Sequence, residues 1–510
     1  MTPRNSGSDL SSGCPQCGFL QSALPRSPCP DFLHSNHSPP DPVLVEVRRE
    51  IIVAENGILQ IEEQINHLQQ VLNGLASRKQ ELQGFIVDHR RISSPLRRLP
   101  TELLSAIFLE CSQTGSGASS FCNPAVEPPV TRVCRSWRAV ILSTPRVWRR
   151  IEDVWCDLTT PPAVLATLVL RRLERSAQVP LEIVFQPASR FDETQRISLI
   201  NALFSATHRW QNVSLHLTDF ELRHFKLDQS VPQLRKLALV APHYAHLGCF
   251  FRSLPALEDL YYGHNGTAGA NTSTPHRLSS QLHDFPLPQL TRLSLWNIKC
   301  EMSDMLDVLQ SAVNAVDIVM SNCTLHALQG SHHTQRILPN LVALDVHQSH
   351  ADFLSHLSTP ALQLLSLTGP LSRLPPALVS FTTQARASLT SLKLSHISGY
   401  DTPLLALLRT LPHLTHLRLL NTRSTEIHTS FIEALTITPA VFPLPRLASL
   451  ELEGRFWCGT HPLMTMLRSR CGPTGALRTV RLYGGSELAD VRGQSLGDEV
   501  EFVVRAGTAS

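Results

Sequence analysis

The sequence predicts an α/β protein in three parts: a long heptad helix, a three-helix module, and an irregular solenoid of parallel strands backed by convex helices. Three observations predict it. A unit of the form Pro-x-Leu-x-x-Leu-x-Leu recurs through the C-terminal part, its copies 21 to 33 residues apart. Between Ile51 and Ile86 the apolar residues fall at alternating spacings of three and four. Between residues 94 and 152 apolar residues cluster at helical spacing around a Ser/Gly/Pro-rich interruption.

The chain has 510 residues, enough for two or three domains and at least one large core. It is 42% hydrophobic and 17% charged, as expected of a folded chain, and only 6% aromatic, so leucine carries the apolar load. One branched side chain filling equivalent slots repeatedly is the composition of a repeat protein. A net charge of +3 gives no footprint for a nucleic-acid or membrane partner. The leucine-dense stretch Leu404 to Leu411 carries Arg409 and is far shorter than the ~20 apolar residues a bilayer span needs. Residues 1–20 show no basic start followed by an apolar run, and the 12 cysteines are scattered. Both features predict a cytoplasmic or nuclear protein with reduced thiols.

Residues 1–43 are rich in Ser, Pro and Gly without apolar period, and a disordered segment is expected there. They contain Cys14-Pro-Gln-Cys17, followed by Cys29, His34 and His37. A C-x-x-C pair can hold one side of a tetrahedral zinc ion, but the spacing to a second pair of ligands fits no common zinc module. No metal or cofactor is assigned.

Residues 44–93 read as one helix. Ile51, Ala54, Ile58, Ile61, Ile65, Leu68, Leu72, Leu75, Leu82 and Ile86 form a narrow stripe that only Lys79 interrupts. A repeat of 3.5 residues is what a coiled coil requires. Gly57, Gly74 and Gly84 each cost about 1 kcal/mol relative to alanine within a helix. Two readings stay open: a homodimer through this helix, or an amphipathic helix packed on its own neighbouring domain.

From 180 to 505 the repeat unit sets the pattern. Good copies include Pro232–Leu239, Pro288–Leu295, Pro339–Val346, Pro412–Leu419 and Pro445–Leu452. The last alternations of each copy predict a short strand with two apolar residues facing inward. The intervening stretches, such as Asp304 to Ala312 and Pro403 to Leu411, have helical spacing. Such units resemble leucine-rich repeats, which bury a shared core only when stacked. The asparagine that usually ties adjacent turns is expected to be missing, since Ile298 and Thr422 stand at its anticipated places.

The segment 94–152, with a loop insertion at 113–129, carries the most specific signal. Leu99-Pro100-Thr101-Glu102-Leu103-Leu104-Ser105-Ala106-Ile107-Phe108 resembles the opening of an F-box. Val133-Cys134-Arg135-Ser136-Trp137-Arg138 and Ser143-Thr144-Pro145-Arg146-Val147-Trp148 resemble its closing half. The residues make physical sense without the name. Pro100 suits a first helical turn, and Leu103, Ile107 and Cys111 share one helix face beside that of Leu104 and Phe108. Three short helices this apolar expose more hydrophobic surface than they can bury among themselves, which suits a partner helix.

Residues 40–500 are similar to the large F-box families of mushroom-forming fungi. These share the heptad helix, a Ser-Pro-x-Arg-x-Leu-Pro junction (here Ser94 to Pro100), a split F-box and a leucine-rich array. The resemblance implies a substrate-recognition subunit of an SCF-type ubiquitin ligase. It would bind a Skp-family adaptor, and through it a cullin ligase, at Leu99, Pro100, Leu103, Leu104, Ile107, Phe108 and Trp137.

No enzyme is expected, because the sequence has no phosphate loop, no H-E-x-x-H and no G-x-S-x-G elbow. Most of the 23 histidines, including His332-His333 and the group His347, His350 and His356, fall where solvated histidine is ordinary. The repeats are expected to bind a target protein. Outward residues of the strands would line the concave side, and Arg292, Trp296, Asp345, Lys393, Arg418, Glu451, Arg481 and Tyr483 are the candidates. The alternative is a ligase-independent interaction scaffold.

Overall fold

Fourteen parallel strands follow one another in chain order through a single sheet, among the residues that the structure describes. That structure is a computed structural model. It describes residues 26–113, 128–152, 162–186, 193–224, 227–242, 251–265, 277–326, 335–348, 351–371, 376–397, 402–420, 426–438, 443–471, 475–488, 490–491, 496 and 500–506. The chain divides into two units, Met1–Pro100 and Thr101–Ser510.

The first unit is dominated by α1, Asp41–Ile92, a 52-residue helix in which no residue is buried. It begins three residues before the expected boundary, because Pro40 and Pro42 fit a first turn, where a missing donor costs nothing. Gly57, Gly74 and Gly84 do not interrupt it. A 3₁₀ turn, Pro30–Phe32, lies in the segment expected to be disordered. Cys14 and Cys17 lie outside the described residues. Among those described, no group of three or more His, Cys, Asp or Glu side chains could hold a metal ion.

The second unit opens with a small helical module: α2, Thr101–Gln113; a 3₁₀ turn, Pro129–Arg132; α3, Arg135–Leu142; and a second 3₁₀ turn, Pro145–Trp148. The third expected helix is therefore only a 3₁₀ turn. Pro145 fixes its start, and a strand begins two residues after Trp148, leaving no length for an α-helix. Most of the expected loop insertion, 114–127, lies outside the described residues.

The sheet strands are β1 (Arg150–Glu152), β2 (Leu181–Phe185), β3 (Trp210–His216), β4 (Lys236–Ala241), β5 (Asp259–His264), β6 (Arg292–Trp296) and β7 (Asp317–Ser321). They continue as β8 (Ala343–His347), β9 (Leu364–Leu371), β10 (Ser391–Ile397), β11 (His416–Leu420), β12 (Ser449–Glu453), β13 (Thr479–Gly484) and β14 (Glu501–Ala506). The sheet thus begins thirty residues before the expected start at 180. β1 and the helix α4 (Pro162–Arg175) carry no Pro-x-Leu motif, so the repeat pattern did not reveal them.

Register explains the leucines. Leu260, Leu293, Ile318, Leu344, Leu365, Leu392, Leu417, Leu450 and Val480 are successive partners across nine strands. All nine are wholly buried. Burying each such side chain is worth about 1.5–3 kcal/mol, and identical spacing lets every repeat dock on the last. The anticipated helical stretches fold as Met302–Ser311 and Thr402–Arg409. The architecture is an α/β solenoid with a leucine core.

Trp148 joins the module to the array. Its Nε1 donates to the Ile141 carbonyl at 2.9 Å, and the Arg172 and Arg175 guanidinium groups lie over its ring at 5.4 and 4.6 Å. Arg172 in turn donates from Nε to the β1 carbonyl of Arg150 at 3.1 Å. Arg209, buried before β3, closes the far end of α4 by donating to the carbonyls of Leu173, Ser176 and Val179. A cation there satisfies carbonyls that a helix end leaves unpaired.

The asparagine tie between turns is present at two junctions, contrary to expectation. Asn297 and Asn322 directly follow β6 and β7, both with φ of 54°. The left-handed conformation is one that asparagine tolerates better than branched residues do. The tie sits one residue before Ile298, because the strand ends at Trp296. Thr422 lies outside the described residues.

Candidate interaction surfaces

Alternation along each strand leaves one sheet face to the leucine core and presents the other residues outward. Register arranges them in rows across the strands. One row runs Lys236, Asp259, Arg292, Asp317 on β4 to β7. Its charges alternate in sign and pair laterally: Lys236 Nζ to Asp259 Oδ2 at 3.9 Å, Arg292 to the same carboxylate at 3.9 Å, and Arg292 Nε to Asp317 Oδ2 at 2.9 Å. Burial still pushes the Asp259 carboxyl up, although Arg292 and Lys236 pull against it.

A second row runs Asp345, Ser366, Lys393, Arg418, Glu451, Arg481 on β8 to β13. Arg418 Nε pairs with Glu451 Oε2 at 3.1 Å, and Arg481 with Glu501 Oε1 at 3.3 Å. His347 Nε2 lies 3.0 Å from Asp345 Oδ1. Four of the eight expected target-binding residues, Arg292, Arg418, Glu451 and Arg481, are therefore already engaged in ion pairs with a neighbouring side chain. Lys393 has no ion pair among the described residues. Exposed pairs of this kind contribute about 0–1 kcal/mol, so a partner could compete for them.

Trp296 is 37% exposed and lies against Gly263 of β5, its register partner. A Cβ at position 263 would come within 2.9 Å of the indole. The glycine supplies the space in which the ring lies on the sheet. Tyr483 stands partly exposed in the same row as Trp296, on β13, beside Glu453 of β12.

Sequence reading missed a hollow of about 300 Å³ at the N-terminal end of this face. Its floor is Val184, Ser214 and Ala238, successive partners on β2, β3 and β4, and Lys236, Asp259 and Tyr261 close one side. Burial pushes the Tyr261 hydroxyl pKa up. The available signal was the run of small residues at the central outward position of adjacent strands.

The helical module presents the other surface. On α2, Leu103 and Ile107 are 52% and 45% exposed, while Leu104 and Phe108 one position later are 4% and 1% exposed. The face expected to meet an adaptor is thus split. Leu104 and Phe108 are taken up by the module's own core, because α2 must bury one stripe to hold against α3. Phe108 packs on the partly exposed Trp137 ring with centroids 5.3 Å apart. Cys134 caps α3 by accepting from the Trp137 amide at 3.5 Å. Leu99 and Pro100 belong to the first unit, where Pro100 is exposed and Leu99 partly so.

No family model matches the chain, and no curated protein does. Among solved structures it is similar to an internalin from Listeria monocytogenes, at 13% identity and a TM-score of 0.30. That match covers 66% of this chain and 89% of the internalin. Strand order and parallel register define the fold. Among the described residues, no helix is long and apolar enough to cross a membrane.

Proposed function

We propose that this chain is a substrate-recognition subunit of an SCF-type ubiquitin ligase, with the helical module taking a Skp-family adaptor and the outer sheet face taking a protein target. The observation that carries the reading is the split stripe of α2. Leu103 and Ile107 stay exposed on a helix whose adjacent stripe is locked into the core, within a segment that resembles an F-box. An apolar helix face held outward in this way is the feature a partner helix reads. The outer sheet face mixes both charge signs with Trp296, Tyr261 and Tyr483, a composition suited to a protein surface. The protein would perform no chemistry itself. It would raise the effective concentration of target beside the transferring enzyme.

The test is co-purification of the full chain with a Skp-family adaptor, then the same with Leu99 and Pro100 both changed to alanine. Capture that disappears in the double variant supports the reading. Failure of the unaltered chain to hold the adaptor would leave the ligase-independent scaffold as the function.

A further inference from the structure

We infer that α1 is the interface with a second copy of this chain, a parallel, in-register, two-stranded coiled coil. Taking Ile51 as position a of a heptad, Ile58, Ile65, Leu72 and Ile86 also fall at a, while Ile61, Leu68, Leu75 and Leu82 fall at d. None of them is buried: Leu72 and Leu75 are 64% and 63% exposed on a helix of 52 residues. At 1.5 Å per residue that helix is about 78 Å long, and helices in proteins draw most of their stability from packing an apolar face rather than from propensity.

The choice of residues identifies the occupant. Isoleucine stands at a in Ile51, Ile58, Ile65 and Ile86 and leucine at d in Leu68, Leu75 and Leu82, with Leu72 and Ile61 reversed and Ala54 at d. β-Branched a with leucine d is the combination that favours two parallel strands. Lys79 is the single charged residue at an a position. In an in-register parallel pair the two lysines share one layer. A slip by one heptad would set each lysine against Leu72 or Ile86 and spoil two layers, and an antiparallel pair would likewise spoil two. Lys79 therefore sets register at a cost in stability, as one polar a residue does in coiled coils.

The three glycines agree with this seam. Gly57, Gly74 and Gly84 fall at g, c and f, off the a/d line, and a Cβ at any of them would meet nothing within 4 Å. From Asn66 onward the positions outside the seam are mostly polar, including Asn66, Asn73 and Gln80 at b and Gln70 and Ser77 at f. Over this half the apolar surface narrows toward the line that a two-stranded partner covers. In the first half Val45, Ile52 and Leu59 widen it at b.

Sedimentation equilibrium of the full chain at low micromolar concentration tests the inference. The expected mass is twice that of one chain, falling to one chain when Leu68 and Leu72 are both changed to aspartate. Leu75→Cys should give a disulfide-linked pair under copper–phenanthroline oxidation, beyond any cross-link of the unsubstituted chain, since in register each Leu75 meets its counterpart. Lys79→Ile should tighten association. A chain of single mass overturns the inference, as does a dimer that survives the double aspartate change. A dimer that Leu75→Cys cannot cross-link overturns the parallel register. None of these outcomes depends on adaptor binding.

Discussion

The side-chain amide of Asn322 donates to Oδ1 of Asn297 at 2.9 Å, and the Asn297 amide donates onward to the His264 carbonyl at 3.0 Å. Three turns of the solenoid, those ending β5, β6 and β7, are tied by two side chains that also adopt a conformation most residues avoid. Asn297→Ala removes the amide and leaves a buried carbonyl short of its donor, a loss of about 1–3 kcal/mol. It also forces alanine into the left-handed region, adding about 1–2 kcal/mol. Asn297→Gly keeps the backbone freely and should lose less. Urea midpoints of the two variants separate the terms; equal midpoints would show that only the amide matters.

Gly263 and Trp296 are expected to be coupled. Gly263→Ala brings a methyl to 2.9 Å from the indole and should destabilise the array by about 1–3 kcal/mol, the usual cost of overpacking. In a Trp296→Ala background the same change should cost less, since the closest clash is with the ring. A double-mutant cycle by urea denaturation measures the coupling. A cost unchanged in that background would mean that the contact with the Trp296 backbone dominates.

The two stripes of α2 should separate binding from folding. Phe108→Ala empties a fully buried site and should cost about 3–5 kcal/mol in thermal or urea unfolding. Leu103→Asp with Ile107→Asp alters only exposed positions and should leave the unfolding midpoint nearly unchanged. The same double variant should lose the Skp-family adaptor in co-purification. Retained capture would move the adaptor surface elsewhere.

On the sheet face the lateral pairs change which cation matters. Arg418 is held by Glu451, whereas Lys393 beside it has no ion pair among the described residues. Lys393→Glu should therefore lower target recovery several-fold without altering stability. Arg418→Glu should lower recovery and also destabilise slightly, by setting two carboxylates side by side. If charge reversals at Arg292, Lys393 and Arg418 all leave recovery unchanged, the target binds on another face.

Glu487 predicts an acid-sensitive clasp. Burial raises its carboxyl, but its own backbone amide, the amides of Phe456 and Gly485, these two each donating to Oε1 at 3.1 Å, and the Arg455 charge outweigh this and hold its pKa below the ordinary glutamate value. A carboxyl lowered in the folded state contributes stability above its unfolded pKa and loses it as pH falls through the lowered folded value. Asp259 and Glu453 are raised by burial and act in the opposite sense, gaining stability as pH falls through their folded values. Glu487→Gln should therefore flatten the acid side of the stability profile, measured by urea denaturation from neutral pH downward. A variant with the same acid slope as the parent would exclude the clasp.

The sequence by itself determined the repeat strands of the sheet, β4 to β13. Leucine spacing within each repeat fixes which side chains are internal, because strand period and motif period leave one self-consistent register, and Leu260 through Val480 stack as that register requires. It also determined the long helix and the apolar stripe along it, since a spacing of three and four is a local property of one helix. Only the tertiary structure decided the rest. β1 and α4 carry no motif, and their place in the sheet comes from Trp148 and Arg172 packing across the junction. The asparagine tie depends on where each strand ends, a boundary that the apolar pattern leaves uncertain by a residue. The split of α2 into exposed and buried stripes depends on where α3 packs. The ion pairs that occupy Arg292, Arg418 and Arg481 join residues 20 to 33 positions apart, and only register brings such charges within reach.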